Sequence, residues 1–289
     1  MGEVCGKPTS GVQDLRLHPR FLNLARMVLS VKAESIRLST GRKQSACGRT
    51  QHYANRQNDA PAENGDGCKN GCVMSRYDVP KGTEGEYQPG SAGRVLKNLK
   101  GIKNPTLIKR VEDEALLSVE NRYLESESVT VGTQFTARLI CRMHKDWLGH
   151  IYEWAGTYRT VDMSKGEFPF PPAWLVPQHM DSFERGILAE RSPCRGETIE
   201  EISSSLAIVH AELLLIHPFR EGNGRLARWL ADMMAAQAGL PLPDYGFTGR
   251  GSRKNKEAYL RAVIKGYGQD YEELSRFFAE ALERRVLEI

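Results

Sequence analysis

The stretch His217-Pro-Phe-Arg-Glu-Gly-Asn-Gly-Arg-Leu-Ala-Arg228 stands between two strongly apolar runs of helical spacing, Ile199 to Ile216 and Arg225 to Ala238. Pro218 ends the first run, because the residue before a proline is pushed out of the α region. His217 therefore sits at a helix end, facing a loop. Gly222 and Gly224, on either side of Asn223, are expected to turn the backbone with positive φ and to expose successive N–H groups. Arg225 is expected to open the next helix, so that the unpaired N–H groups and dipole of its first turn face the same hollow. That is an anion site. Arg225 and Arg228, one turn apart, can fork onto phosphate oxygens. Glu221 beside such a cradle suits Mg²⁺, which takes one or two carboxylates and completes its octahedron with phosphates and water. A neutral histidine can accept the proton of an incoming hydroxyl while the cradle stabilises charge growing on phosphorus. The pattern lacks the GxxxxGK[ST] of a P-loop.

Outward from this segment the chain reads as helix after helix. Asn104 can cap a helix with Pro105 at its first position and LIKRVEDEALLSVENRYLE as its body. A second helix is expected from about Thr133, with Phe135, Leu139, Ile140, Met143, Trp147, Leu148, Ile151 and Trp154 as a wide apolar stripe. Then Ser164-Lys-Gly-Glu-Phe-Pro-Phe170, set among prolines 169, 171, 172 and 177, favours a short hairpin or extended stretch over helix. Helices resume at Leu175 to Leu188 and, beyond the central segment, at Lys254 to Gly266 and Tyr271 to Glu288. The expectation is an all-α domain with one β-hairpin inserted.

The first quarter of the chain differs. Of 289 residues with net charge +4, residues 1–73 hold 11 Lys+Arg against 6 Asp+Glu and only two of the 23 aromatics, Phe21 and Tyr53. Such a segment has little with which to build a core, and we read it as either a disordered basic extension or an upstream stretch outside the working protein. Residues 74–104 form a lead-in and 105–289 the domain, with its core at about 133–240. Cys68-x-x-x-Cys72 with His52 lacks the second close pair a zinc site needs, and Cys141 and Cys194 stand alone. Apolar runs reach only four residues, as at Leu213 to Ile216, far short of the roughly twenty that cross a bilayer. The N-terminus has no apolar signal segment, so a cytoplasmic protein is expected, or an exported effector.

HPFREGNGRLAR resembles the motif of the Fic family, HxF, one residue, Asp or Glu, GNGR, two residues, Arg, at every defined position. Trp147 to Arg159 followed by MSKGEFPFPP is similar to the family's passage from helix to flap, and the likeness covers roughly Pro105 to Leu287. The resemblance implies a Fic-fold helical bundle and transfer of AMP from ATP to a Ser, Thr or Tyr hydroxyl of a target protein, with release of pyrophosphate. By the same resemblance His217 is the general base, Glu221 holds Mg²⁺, and Gly222, Asn223 and Gly224 form the anion hole. Arg225 and Arg228 bind the departing phosphates, and Phe219 anchors the loop from beneath. The flap, here Ser164, Lys165, Gly166, Glu167, Phe168, Pro169 and Phe170, pairs with an extended segment of the target. Many members also carry an inhibitory helix, Ser or Thr, three residues, Glu, then Gly or Asn, whose Glu pairs with the last motif arginine. Glu63, Glu84 and Glu120 are followed by Gly or Asn, but Asp59, Pro80 and Leu116 stand four before them. Only Glu120 offers a degenerate version, and a separate small antitoxin carrying the glutamate is the expected brake.

A metal hydrolase would need His210, His217 and Glu221 aligned on a helix that Pro218 and the glycines break, and there is no HExxH. A binding module would use the basic arm of Arg37, Arg42, Lys43, Arg49 and Arg56, which is sparse and lacks interleaved aromatics, so a nucleic-acid partner is not expected. A Fic-fold transferase could also use another donor such as UTP, because nothing in the sequence spells out a base pocket.

Overall fold

In the computed structural model the described residues are 84–126, 130–166 and 168–286. The basic extension read at residues 1–73 lies outside them, as does Glu167 of the hairpin. Seven helices and one small hairpin make up the regular structure of the described residues: α1 (Pro105–Glu125), α2 (Ala137–Leu148), β1 (Ser164–Lys165), β2 (Phe168–Pro169), α3 (Val176–Phe183), α4 (Ile199–Ile216), α5 (Asn223–Gln237), α6 (Ser252–Gly266) and α7 (Glu272–Val286). A single turn at Ala173–Leu175 leads into α3, which runs on through a wider π turn, Glu184–Leu188, to Arg191.

α1 starts where the sequence says it should. The Asn104 side chain accepts from the N–H groups of Thr106 and Leu107, and Pro105 needs no partner. α2 begins at Ala137, later than the expected Thr133, because Thr136 is the residue that caps it, accepting from Leu139 N. Thr133 is instead held in a turn by Thr130 and by the Gln237 amide, which donates to its carbonyl at 2.8 Å. The apolar stripe runs past the end of α2 at Leu148: Ile151 is fully buried, and Trp154 packs half-buried against the core from a turn.

α4 is the axis of the bundle. It packs along α5 and α7 and touches α3 and α6, and it is buried on nearly every side. One continuous core, from Val95 to Leu282, joins all the helices. β1 and β2 pair antiparallel, Ser164 opposite Pro169 and Lys165 opposite Phe168, as the sequence predicts for this stretch. Residues 84–104, the described part of the lead-in, pack onto the bundle. Tyr87 bridges to Leu96, Val95 is buried, and Leu99 N donates to Ile151 O at 2.8 Å. Among the described residues no helix is long and apolar enough to cross a membrane.

Candidate functional site

α4 ends on His217 with φ 52° and ψ 57°, a left-handed conformation that a non-glycine residue adopts at a cost of roughly 1–2 kcal/mol. The ring nitrogen Nδ1 lies 3.1 Å from Leu214 O. A carbonyl can only accept, so Nδ1 carries the proton and Nε2 is the basic nitrogen. The Phe170 ring from the hairpin stacks on the imidazole at 3.8 Å between centroids.

The loop that follows is held from inside. The Asn223 side chain accepts from Phe219 N at 3.0 Å and donates to Phe219 O at 2.7 Å, closing the turn. Phe219 is fully buried and lies flat on His144, 4.0 Å between ring centroids. His144 accepts from Gly156 N on Nδ1 and therefore donates from Nε2 to Glu221 O at 3.1 Å. Burial holds this imidazole neutral, with its pKa pushed down to about 4. The carboxylate side of Glu221 reaches the cleft, and its Oε1 also accepts from Gly222 N.

The two motif glycines differ. Gly222 has φ +86°, and a Cβ there would come within 2.9 Å of the buried Trp147 ring. Gly224 does not turn with positive φ as expected from sequence. α5 begins at Asn223, two residues before Arg225, so Gly224 is already helical. The consequence for an anion is the same, since the first N–H groups of α5 have no carbonyl within the helix to meet. The Asn223 side chain, by contrast, is spent on the loop.

Arg225 and Arg228 are both at the cleft but in different states. The Arg225 guanidinium lies over the Trp147 ring at 4.8 Å and pairs with Glu112 of α1 at 2.7 Å and Asp113 at 3.1 Å, with Glu221 farther off at 3.8 Å. Burial pulls its pKa down, but Glu112, Glu221 and Asp113 together outweigh that and raise it. Tyr152 O–H donates to the other oxygen of Glu112 at 2.5 Å. Arg228 stands over Phe247 and Tyr259 at 5.6 and 5.9 Å, near enough for cation–π attraction. Glu120 does not line the cleft, and it is Glu112, two turns earlier, that meets a motif arginine. Nothing in the sequence singled out Glu112, Tyr152 or Arg159.

These groups share one cleft of about 970 Å³, walled by the motif loop, α1, the Tyr87–Leu96 bridge, the hairpin and α6. Basic side chains outnumber acidic ones along it, with Glu112 and Glu221 as the acids. No cluster of three or more His, Cys, Asp or Glu side chains that could hold a metal exists among the described residues.

Residues 134–235, which include this loop and the helices on either side of it, match the Fic/DOC family model. The chain carries a Fic domain. The protein adenylyltransferase VbhT of Bartonella schoenbuchensis is 30% identical over 194 residues, 67% of this chain and 37% of the relative. A probable protein adenylyltransferase, y4lH, of Sinorhizobium fredii is 29% identical over 132 residues, 44% of this chain and 63% of the relative. The chain thus spans less than two thirds of either relative. Two solved structures share the fold. The BepC protein of Bartonella tribocorum with bound AMPPNP superposes with a TM-score of 0.52 at 21% identity, over 64% of this chain and 91% of its own. A Fic domain of Bartonella quintana with bound ADP gives 0.53 at 24% identity, over 68% and 92%.

Proposed function

We propose that this Fic domain transfers AMP from ATP to a hydroxyl side chain of a target protein. The observation that carries the reading is His217, with Nδ1–H tied to Leu214 O and Nε2 as its basic nitrogen, set in one cleft with the N-terminus of α5 and Arg228. The hydroxyl oxygen attacks the α-phosphorus and gives its proton to Nε2. The new O–P bond forms as the bond from the α-phosphorus to the bridging oxygen breaks, and pyrophosphate leaves. Unpaired N–H groups of the first turn of α5 stabilise charge on the α-phosphate oxygens, and Arg228 meets the leaving phosphates. Arg225 can join it only by loosening its pair with Glu112.

Mg²⁺ fits the site. Glu221 offers one carboxylate at the cleft, its backbone anchored by His144, and one carboxylate with phosphate oxygens is an ordinary Mg²⁺ donor set. Bound there, the ion would neutralise phosphate charge. The relatives named protein adenylyltransferase support the same chemistry. Ser164 to Phe170 is a short hairpin with Phe168 exposed, suited to seat an extended segment of the target by strand addition. A small antitoxin bringing its own glutamate would bind at the arginines.

The test incubates the full chain and its His217→Ala variant in cell lysate with Mg²⁺ and α-³²P-ATP, γ-³²P-ATP or α-³²P-UTP. A protein band labelled from α-³²P-ATP alone, and lost in the variant, is expected. Label from UTP would change the donor. Label retained by the variant would remove His217 from its role.

A further inference from the structure

Arg159 is 2% exposed, and among the described residues no carboxylate forms an ion pair with it, Asp162 and Glu84 attracting it only from farther off. Its guanidinium is spent on backbone instead: Nε donates to His217 O at 2.8 Å, Nη1 to Val161 O at 2.9 Å and Nη2 to Pro171 O at 2.5 Å. Its own N–H donates to Pro218 O at 2.8 Å. Val161 and Pro171 are the two stems of the hairpin Ser164–Pro169, and His217 is the residue at the chemistry. A planar fork with five donors is the one side chain that can bind three carbonyls in fixed directions, and a lysine ammonium cannot reproduce it. Burying a guanidinium is costly, and Val161, Met163 and Phe170 already form a small apolar cluster at the base of the hairpin. Holding the hairpin alone does not call for an arginine.

The left-handed backbone at His217 supplies the missing reason. That conformation takes the His217 carbonyl out of the α4 ladder, and Arg159 Nε donates to it. The same backbone turn lets Nδ1 fold back onto Leu214 O. The hairpin also touches the imidazole directly through Phe170.

We propose that Arg159 is a positioning residue that ties the hairpin to His217, fixing the imidazole in its Nδ1–H form and making the seating of a target strand and the orientation of the base one event. The proposal rests on the adenylyl-transfer reading for its functional consequence, not for its geometry. Phosphate binding lies outside this linkage, because the motif loop is held separately by Asn223 and His144.

The experiment compares the full chain with Arg159→Lys and Arg159→Met, labelled with ¹⁵N-histidine, in long-range ¹H–¹⁵N spectra, with His217 assigned by its loss in His217→Ala. The wild type should show His217 with one protonated and one bare nitrogen. Both variants should show the averaged pair of an imidazole exchanging between tautomers. Equilibrium dialysis with Mg²⁺ and ATP should give the wild-type affinity within about twofold, while label incorporation from α-³²P-ATP falls about tenfold or more, as a displaced catalytic group would dictate. An unchanged His217 pair in the variants would overturn the proposal and leave Arg159 as a staple of the hairpin. If Arg159→Met does not fold, Arg159→Lys, which keeps the stem and charge, decides. If the wild type labels no protein, the transfer reading fails while the spectra still decide the linkage.

Discussion

Replacing Gly222 by alanine should cost roughly 3 kcal/mol of stability, while the same change at Gly224 should cost none. At Gly222 two penalties add. An L-residue at φ +86° pays roughly 1–2 kcal/mol for the left-handed backbone. The new methyl group would also stand 2.9 and 3.1 Å from two carbons of Trp147 and 3.3 Å from Leu148 Cδ1. Trp147 cannot retreat, because it is fully buried and its Nε1 donates to Glu112 O at 2.9 Å, so overpacking adds about 1–3 kcal/mol. At Gly224 the backbone is helical, and a methyl group would meet only Arg228 Nη1 at 3.8 Å, an ordinary contact. Relative to glycine, alanine in a helix gains roughly 0.5–1 kcal/mol. At about 2–4 °C per kcal/mol for a domain this size, thermal unfolding followed by circular dichroism should show Gly222→Ala melting roughly 10 °C lower and Gly224→Ala slightly higher than wild type. Equal losses in the two variants would refute the assignment of Gly222 to the turn and Gly224 to the helix.

Glu112→Gln should lower the melting point by an amount equivalent to about 2 kcal/mol, less than the loss of a fully buried pair because Asp113 still holds Arg225. The same variant should bind Mg·ATP several-fold more tightly in equilibrium dialysis, since Arg225 keeps only its more exposed partner Asp113 and can turn toward phosphate; unchanged melting and affinity would show the pair to be idle. His144 gives a pH dependence. Burial lowers its folded-state pKa from 6.5 to about 4, so the unfolded chain binds the extra proton between these values. Stability is complete above pH 6.5 and is lost as pH falls toward 4, by about 3 kcal/mol for this residue. His210, pushed down to about 3 by burial, adds to the same slope. Denaturant unfolding at pH 7 and pH 4.5 should therefore show a smaller loss in His144→Gln than in wild type, and equal losses would clear His144 of the effect. Gly224→Ala should transfer AMP more slowly in the radiolabel assay despite its intact fold, and a full wild-type rate would place the anion elsewhere on α5.

Local signals were legible where the deciding partner is also local. Asn104 and Pro105 start α1 through bonds that reach only two and three residues ahead, so the boundary could be read directly. Thr133 and Thr136 are equally able to cap α2. What chooses between them is Gln237, donating to Thr133 O, and Ser192, whose Oγ accepts from Phe135 N at 2.6 Å, and both are distant in sequence. The glycines of the motif show the same limit, because the letters in Gly222-Asn223-Gly224 are symmetric about the asparagine. The asparagine side chain bonds backward to Phe219, and that places the turn before it and the helix after it.

The reacting groups stood out because a base, a carboxylate, a helix N-terminus and an arginine crowd into twelve residues, a density that ordinary structure has no need for. The groups that aim them left no such mark. His144 and Arg159 act by donating to carbonyls, of Glu221 and of His217, and a carbonyl belongs to every residue alike, so no spacing or residue type advertises the bond. Glu112 is hidden differently, as one acid among the charges of LIKRVEDE. Only the packing of α1 across the start of α5 turns it inward onto Arg225. A sequence of this kind therefore names the chemistry before it names the alignment. Variants outside the motif, at Glu112, His144 and Arg159, are the ones that test whether alignment or composition limits the rate.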